Sequence, residues 1–448
     1  MITKAKTAPG PNTRGLMGDL KAYRTDPYTL FTSVWREYGD FVRLRFGPIQ
    51  CFLPGHPDYL KHILLDNYQN YDRGQLFKKF ERYTGPGLLT GYGDTWLKTR
   101  RLAQPAFRPD ILDQYAAVMA DGAQKLVERW RPAAEKGGII EASDEMVYYI
   151  LGTLGRTLFS IDLSEHAADI IPAAHYAVIT QVTKTGTIEE LLPEWMPTPH
   201  YRRVKAIRAL FDAIVVRIVD LHRKGMQTSD YVSLLLKEEA NGNLTAGQVH
   251  AETLTALIAG HDTTAAALTW LLYVLAMHPE VQAQVRAEAD QVLGGRAPTV
   301  ADLPQFVYTK KTIMETLRLY PPAWLFPREP AEDDEIGGYH VPKRSLMMLT
   351  PYLVHRHPEF WENPEVFDPH RFGPEFEKGR HKYSYMPFGG GAHQCIGMHY
   401  AMQQLIFTAA LITRAYRVEL APGGPVLPET ALTMHPRGGL RIRITVRG

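Results

Sequence analysis

Cysteine is almost absent from this sequence: its 448 residues include two, Cys51 and Cys395. So few thiols exclude a disulfide scaffold, and neither has the neighbouring Cys or His at the spacing that zinc requires. The balance points to a reducing compartment, the cytoplasm. Long apolar runs are missing too. The longest nearly apolar stretch, Ala265 to Met277, spans 13 residues and is interrupted by Thr269, short of the ~20 that cross a bilayer. The N-terminal segment Met1 to Leu20 has no apolar core of a signal peptide, so no integral membrane segment is expected. Neither sign of charge dominates: 50 Lys and Arg against 48 Asp and Glu leave +2, which argues against a nucleic-acid partner. No Gly/Ser linker, low-complexity tract, charge block or repeat divides the chain, so residues 1–448 read as a single domain.

What is present is mostly helical periodicity. Asp110 to Trp130, Tyr201 to His222, Ala246 to Met277 and Pro279 to Leu293 carry it, the third ending where His278 precedes Pro279. Strand-like alternation is confined to Phe41 to Leu53 and Leu440 to Val446, with Ile336 to Leu349 reading as a turn between two short strands. The expected class is mainly α with small β-sheets.

Cys395 closes the run FGGGAHQCIG, Phe388 to Gly397. Its glycines allow φ > 0 and bring backbone N–H groups close to a planar cofactor without a Cβ in the way. The stretch Ile396 to Tyr416 follows with Ile396, Tyr400, Leu405, Ile406, Ala409 and Leu411 along an approximate helical face, setting the cysteine just ahead of a helix N-terminus. Free N–H groups and the helix dipole favour a thiolate there. Alone, the cysteine fits either a buried structural thiol or a single metal ligand, and one thiolate suits haem iron.

Three further constellations stand upstream. AGHDTT, Ala259 to Thr264, puts a glycine, an acid and two alcohols inside an apolar helix, where a bulge or kink would open a groove. ETLR sets Glu315 and Arg318 on one helix face ahead of Tyr320-Pro321-Pro322. WLKTRR sets Trp96 and Arg100 at i,i+4, where an indole N–H and a guanidinium can address one anion. Each has a bland reading: a polar helix patch, a solvated surface pair, an amphipathic helix with an interfacial tryptophan.

Phe388, Gly391, His393, Cys395 and Gly397 together resemble the haem-binding signature of the cytochrome P-450 family, FxxGx(H/R)xCxG, and the other three motifs follow that family's order from Trp96 to Cys395. The resemblance implies a triangular, helix-rich prism around a buried haem b, with Cys395 as axial iron ligand, Phe388 against the thiolate side and His393 on a propionate. Trp96, Arg100 and Arg328 are implied at the haem edge. Ala259 and Gly260 are implied to leave room for O2, and Asp262 with Thr263 to relay protons to dioxygen at the haem. Glu315, Arg318 and Arg371 of PHRF are implied as a buried network behind the cysteine loop.

The implied reaction is monooxygenation: one oxygen atom of O2 enters a lipophilic substrate, by hydroxylation or epoxidation of a fatty acid, terpenoid, steroid or polyketide. The segments matching the family's substrate contacts, Leu76 to Leu89, Ile179 to Val182, Ala256, Ala259, Ala323 to Phe326 and Leu432 to Met434, are mostly apolar. The chain has no room for a fused reductase, so a separate ferredoxin or flavoprotein would supply electrons, with Lys98, Arg101 and Arg108 as a basic docking face. A peroxide-driven peroxygenase or a haem-thiolate isomerase would use the same haem without needing the acid–alcohol pair. A non-enzymatic haem sensor or carrier would have little use for that pair.

Overall fold

The longest helix, Ala246–Met277, owes its limits to local chemistry. Thr245 accepts the Gln248 N–H at 3.2 Å while the Gln248 side chain accepts the Thr245 N–H at 2.9 Å, a reciprocal cap. At the far end Pro279 forces His278 out of the helical region, to φ −124 and ψ 78. The computed structural model describes residues 6–183, 187, 192–193, 195–226 and 228–447, leaving the first five residues of the N-terminal segment outside. Helix makes up 58% of the chain, well above the roughly one-third usual in globular proteins, so the class is mainly α.

Helices Pro109–Ala134, Ala142–Leu158, Pro279–Leu293 and Met398–Ala415 surround the long helix and share one apolar core with it. No π-bulge interrupts Ala246–Met277, which is α-helical throughout. Thr263 donates to the Ala259 carbonyl at 3.0 Å without interrupting the ladder. Gly260 serves packing instead: a Cβ there would stand 2.8 Å from Leu154 Cδ1 on the crossing helix. The ~1 kcal/mol that glycine costs a helix is offset by that close approach.

The main sheet runs Phe41–Phe46, Ile49–Pro54, Leu346–Leu349, Phe326–Pro330, Tyr71–Asp72, its first pair an antiparallel hairpin. Cys51 lies within it, fully buried, its thiol pushed up by burial. A second sheet joins Ile139–Glu141, Arg441–Val446 and Tyr416–Leu420, and two hairpins pair Asp334–Ile336 with Tyr339–Val341 and Pro428–Thr430 with Met434–Pro436. The segment expected as one turn between two strands therefore divides. Gly337 and Gly338, at φ +58 and +81, turn the small hairpin, and Leu346–Leu349 joins the main sheet. Among the described residues no helix is long and apolar enough to cross a membrane.

Candidate active site

The cysteine loop is closed by the Cys395 N–H, which donates to the Phe388 carbonyl at 2.9 Å. Gly389 and Gly391 adopt φ +69 and +66, a region that glycine enters without strain. The closest approaches they permit are to protein. A Cβ at Gly391 would lie 1.9 Å from the Leu64 carbonyl oxygen, and one at Gly390 would lie 2.9 Å from Tyr383 Cε1. The following helix starts at Met398 rather than Ile396, because Gly397 holds a non-helical turn and directs its N–H to the Cys395 sulfur. Burial pushes the thiol up, while that N–H and Arg100 draw it down.

Cys395 is surrounded by protein yet keeps accessible surface, so it faces an interior cleft. The long helix shows the same pattern: Ala256, Ala259, Gly260, Asp262 and Thr263 are partly accessible within an otherwise buried element. Phe388 is partly buried against the main core.

Positive charge gathers beside the cysteine. Arg73 donates to His393 Nδ1 at 2.9 Å and to the Gly91 carbonyl at 3.1 Å, leaving His393 as the neutral ring with its proton on Nε2. Burial, with Arg73, Arg328 and Arg100 nearby, takes His393 down to about 2. Burial and the other two cations depress Arg73, and burial lowers Arg328 to about 10. Among the described residues none of the three arginines forms an ion pair, although Asp72 exerts a compensating field on Arg328. Trp96 departs from the expected geometry. Its ring lies against His393 with centroids 3.8 Å apart and planes tilted by 35°, but its indole N–H donates to the Leu88 carbonyl at 3.1 Å, because that loop carbonyl has no helical partner.

Behind the loop, Glu315 and Arg318 are fully buried in the helix Val307–Leu319 and joined by two hydrogen bonds of 2.7 Å. Arg318 also donates to the carbonyls of His355, Pro364 and Val366. Arg371 Nε stands 3.4 Å from Glu315 as an ion pair, while its Nη2 donates to Asn363 O at 3.0 Å. His355, which no motif flagged, ties the network to the loop. Its Nδ1 donates to the Arg318 carbonyl at 3.1 Å and its Nε2 accepts the Met386 N–H at 2.8 Å. Burial lowers it to about 3.

On the long helix, Asp262 and Thr263 do not bond to each other. Asp262 accepts the Thr433 hydroxyl at 2.7 Å and faces His435 Nε2 at 3.2 Å, whereas Thr263 turns back to Ala259. Burial works to raise the Asp262 carboxyl, but His435, His261 and the Thr433 hydroxyl hold it well below the usual carboxylate range.

A model of the family described as Cytochrome P450 matches residues 8–441. The chain belongs to the cytochrome P450 family. Among curated proteins, this P450 is 34% identical over 403 residues to cyclooctatin synthase of Streptomyces melanosporofaciens, covering 89% of this chain and 87% of the relative. It is 33% identical over 423 residues to cyclooctat-9-en-7-ol 5-monooxygenase of the same organism, covering 93% and 90%. To pentalenene oxygenase of Streptomyces avermitilis it is 32% identical over 422 residues, covering 93% and 92%.

This P450 is a haem-thiolate monooxygenase of lipophilic substrates that binds haem b and requires O2 and a redox partner. Its residues suit that cofactor: buried cations without carboxylate partners match two propionates, and an enclosed thiol with a donated N–H matches an iron ligand. Arg73, His355 and His435 escaped the reading by motif. Arg73 alone left a trace, as a cation before a helix-starting glycine, too common a pattern to single it out.

Proposed function

We propose that Cys395 is the axial thiolate, that Arg73, Arg100, Arg328 and the Nε2–H of His393 hold the haem propionates, and that the substrate is a cyclic terpenoid. When bound, the haem supplies oxygen activation. The meeting of Arg73, Arg328 and the half-buried Arg100, none of them in an ion pair among the described residues, beside the accessible Cys395 carries the reading. Trp96 positions His393 through a tilted ring contact, and Phe388, partly buried against the main core, covers the sulfur side. Glu315, Arg318 and Arg371 keep the cysteine loop in place through His355 and Met386.

Asp262 and Thr263 handle the protons of oxygen activation on the long helix, with Ala259 leaving space in the cleft and Gly260 serving the helix crossing. The terpenoid class is supported by relatives named for pentalenene and cyclooctat-9-en-7-ol, and by the partly accessible apolar residues Leu89, Ile179, Ala256, Leu325, Phe326 and Leu432. Trp324 and Met434 belong to the core, and the side chains of Leu76 and Val182 lie outside the described residues.

The family match over residues 8–441 supports reading that span as one haem domain, and a ferredoxin or flavoprotein is the proposed electron donor. Lys98 and Arg101 are exposed for docking an acidic partner, while Arg108 is engaged with Asp110. Two free cysteines fit a cytoplasmic enzyme.

The test is spectroscopic. The ferrous–CO complex of the purified protein is expected to show thiolate ligation, lost in Cys395→Ser, and pentalenene or a related cyclic terpene is expected to shift the ferric spin state. A nitrogen-ligated spectrum in the wild type refutes the ligand assignment. Spin shifts from fatty acids but from no terpene refute the substrate class.

A further inference from the structure

The hairpin Pro428–Thr430 with Met434–Pro436 brings to the long helix a base, His435, that none of the four motifs contains. Indole groups fix it there: Trp270 donates to the Met434 carbonyl at 3.0 Å and Trp324 to the Ala431 carbonyl at 2.9 Å. The Met434 N–H donates to the Pro322 carbonyl at 2.9 Å. Held this way, Thr433 and His435 both address Asp262, and the Thr433 hydroxyl lies 3.0 Å from His435 Nε2. Glu429 stands directly opposite His435 in the strand pair. The side chains of His435 and Asp262 are 27% and 16% accessible, so neither end of the pair is sealed against proton exchange. Thr263 offers Asp262 no proton, since its hydroxyl donates to Ala259.

We propose that His435 is a positioning and proton-supplying residue for oxygen activation, loading Asp262 with protons that enter along the Glu429 side of the hairpin. The inference rests on the reading of Asp262 as a proton relay. In the step, the Nε2–H bond of the imidazolium breaks and an O–H bond forms on Asp262 Oδ1. The resting proton sits on His435, since the Asp262 carboxyl is held low, so the carboxylate is neutralised only in passing, as it hands a proton onward, and the neutral ring then takes a proton from solvent. Thr433 holds the second carboxylate oxygen and fixes the first toward the ring.

The charges around His435 are few. Burial disfavours its cation, but Asp262 and then Glu429 hold its titration above the ordinary histidine range. His261, on the long helix, is buried and kept neutral, with its ring bonded to the Leu257 carbonyl. The segment Pro322 to Leu325 contributes no charge. The proton-loaded pair therefore persists at neutral pH and is lost as pH rises through the raised His435 value.

The experiment uses reconstituted holoenzyme with pentalenene as probe, reading product per NAD(P)H across pH, with histidine NMR following the His435 titration. His435→Gln is expected to cut coupling about tenfold and abolish its alkaline limb, while the ferrous–CO spectrum stays thiolate-type. Glu429→Gln should move that limb and the His435 titration to lower pH. Coupling and limb unchanged in His435→Gln overturn the proposal, provided Asp262→Asn does lower coupling. Unchanged coupling in Asp262→Asn defeats the relay reading itself. If His435→Gln fails to hold haem, Glu429→Gln decides, and an unmoved limb there overturns the proposal.

Discussion

His355→Phe tests whether the buried network holds the cysteine loop through one imidazole. Phenylalanine keeps an aromatic ring beside Tyr385, whose centroid is 5.3 Å away, but it cannot donate to the Arg318 carbonyl or accept the Met386 N–H. Both orphaned groups lie where His355 is fully buried. At ~1–3 kcal/mol each the variant loses about 2–6 kcal/mol of stability at pH 7.5. A second signature comes from acid. Folded His355 takes no proton until pH nears 3, whereas in the unfolded chain it takes one near its ordinary value of 6.5. The unfolded state is therefore favoured progressively as pH falls below that ordinary value. Across the step from pH 7.5 to 5, this residue costs the wild type about 2 kcal/mol. The variant has no such component. Urea unfolding of the holoenzyme at both pH values, followed by haem absorbance and tryptophan fluorescence, measures both effects. A loss below about 1 kcal/mol at pH 7.5, or an unchanged difference between the two pH values, refutes the reasoning.

Arg73→Ala removes a buried cation that has no anion in the protein. It should weaken haem retention roughly tenfold or more, measured by haem transfer to an excess acceptor protein, while leaving the haem-free form as stable or more stable than wild type. Gly260→Val puts branched atoms against Leu154, where one Cβ alone would stand 2.8 Å from Cδ1. The expected loss is about 1–3 kcal/mol in urea unfolding, whereas a purely catalytic role for this glycine would leave stability unchanged. Trp96→Phe keeps the ring contact with His393 but removes the indole donor to the Leu88 carbonyl, leaving it only the longer 3.4 Å bond from Arg73. Stability should drop by about 1–2 kcal/mol with little change in haem affinity, which a direct propionate contact would contradict.

The residues carrying the most chemistry were legible because their spacing is local. The cysteine loop, the Glu315–Arg318 pair and the cap and stop of the long helix each lie within one stretch of sequence, so periodicity and motif reach them. Arg73, His355 and His435 were not legible. Each acts on a group far away in the chain, Arg73 on His393 and His435 on Asp262, and only the fold brings those pairs together. The packing role of Gly260 was hidden for a different reason. A glycine inside a helix signals equally a bulge or a close crossing, and only Leu154 on the neighbouring helix separates the two. Likewise nothing in WLKTRR reveals that the Leu88 carbonyl will claim the Trp96 indole.

The tryptophan anchors of the C-terminal hairpin also set a timetable for biosynthesis. Trp270 waits for Met434, 164 residues downstream, and Trp324 waits for Ala431, 107 residues downstream. At ~5–20 residues per second, the first interval takes roughly 8–33 s, during which the long helix has no wall on that side. Cys395 itself emerges in the same final stretch. Haem capture is thus a finishing event on a nascent chain whose long helix has stood without that wall for about a third of translation, and quality control in the cell has to act within that window.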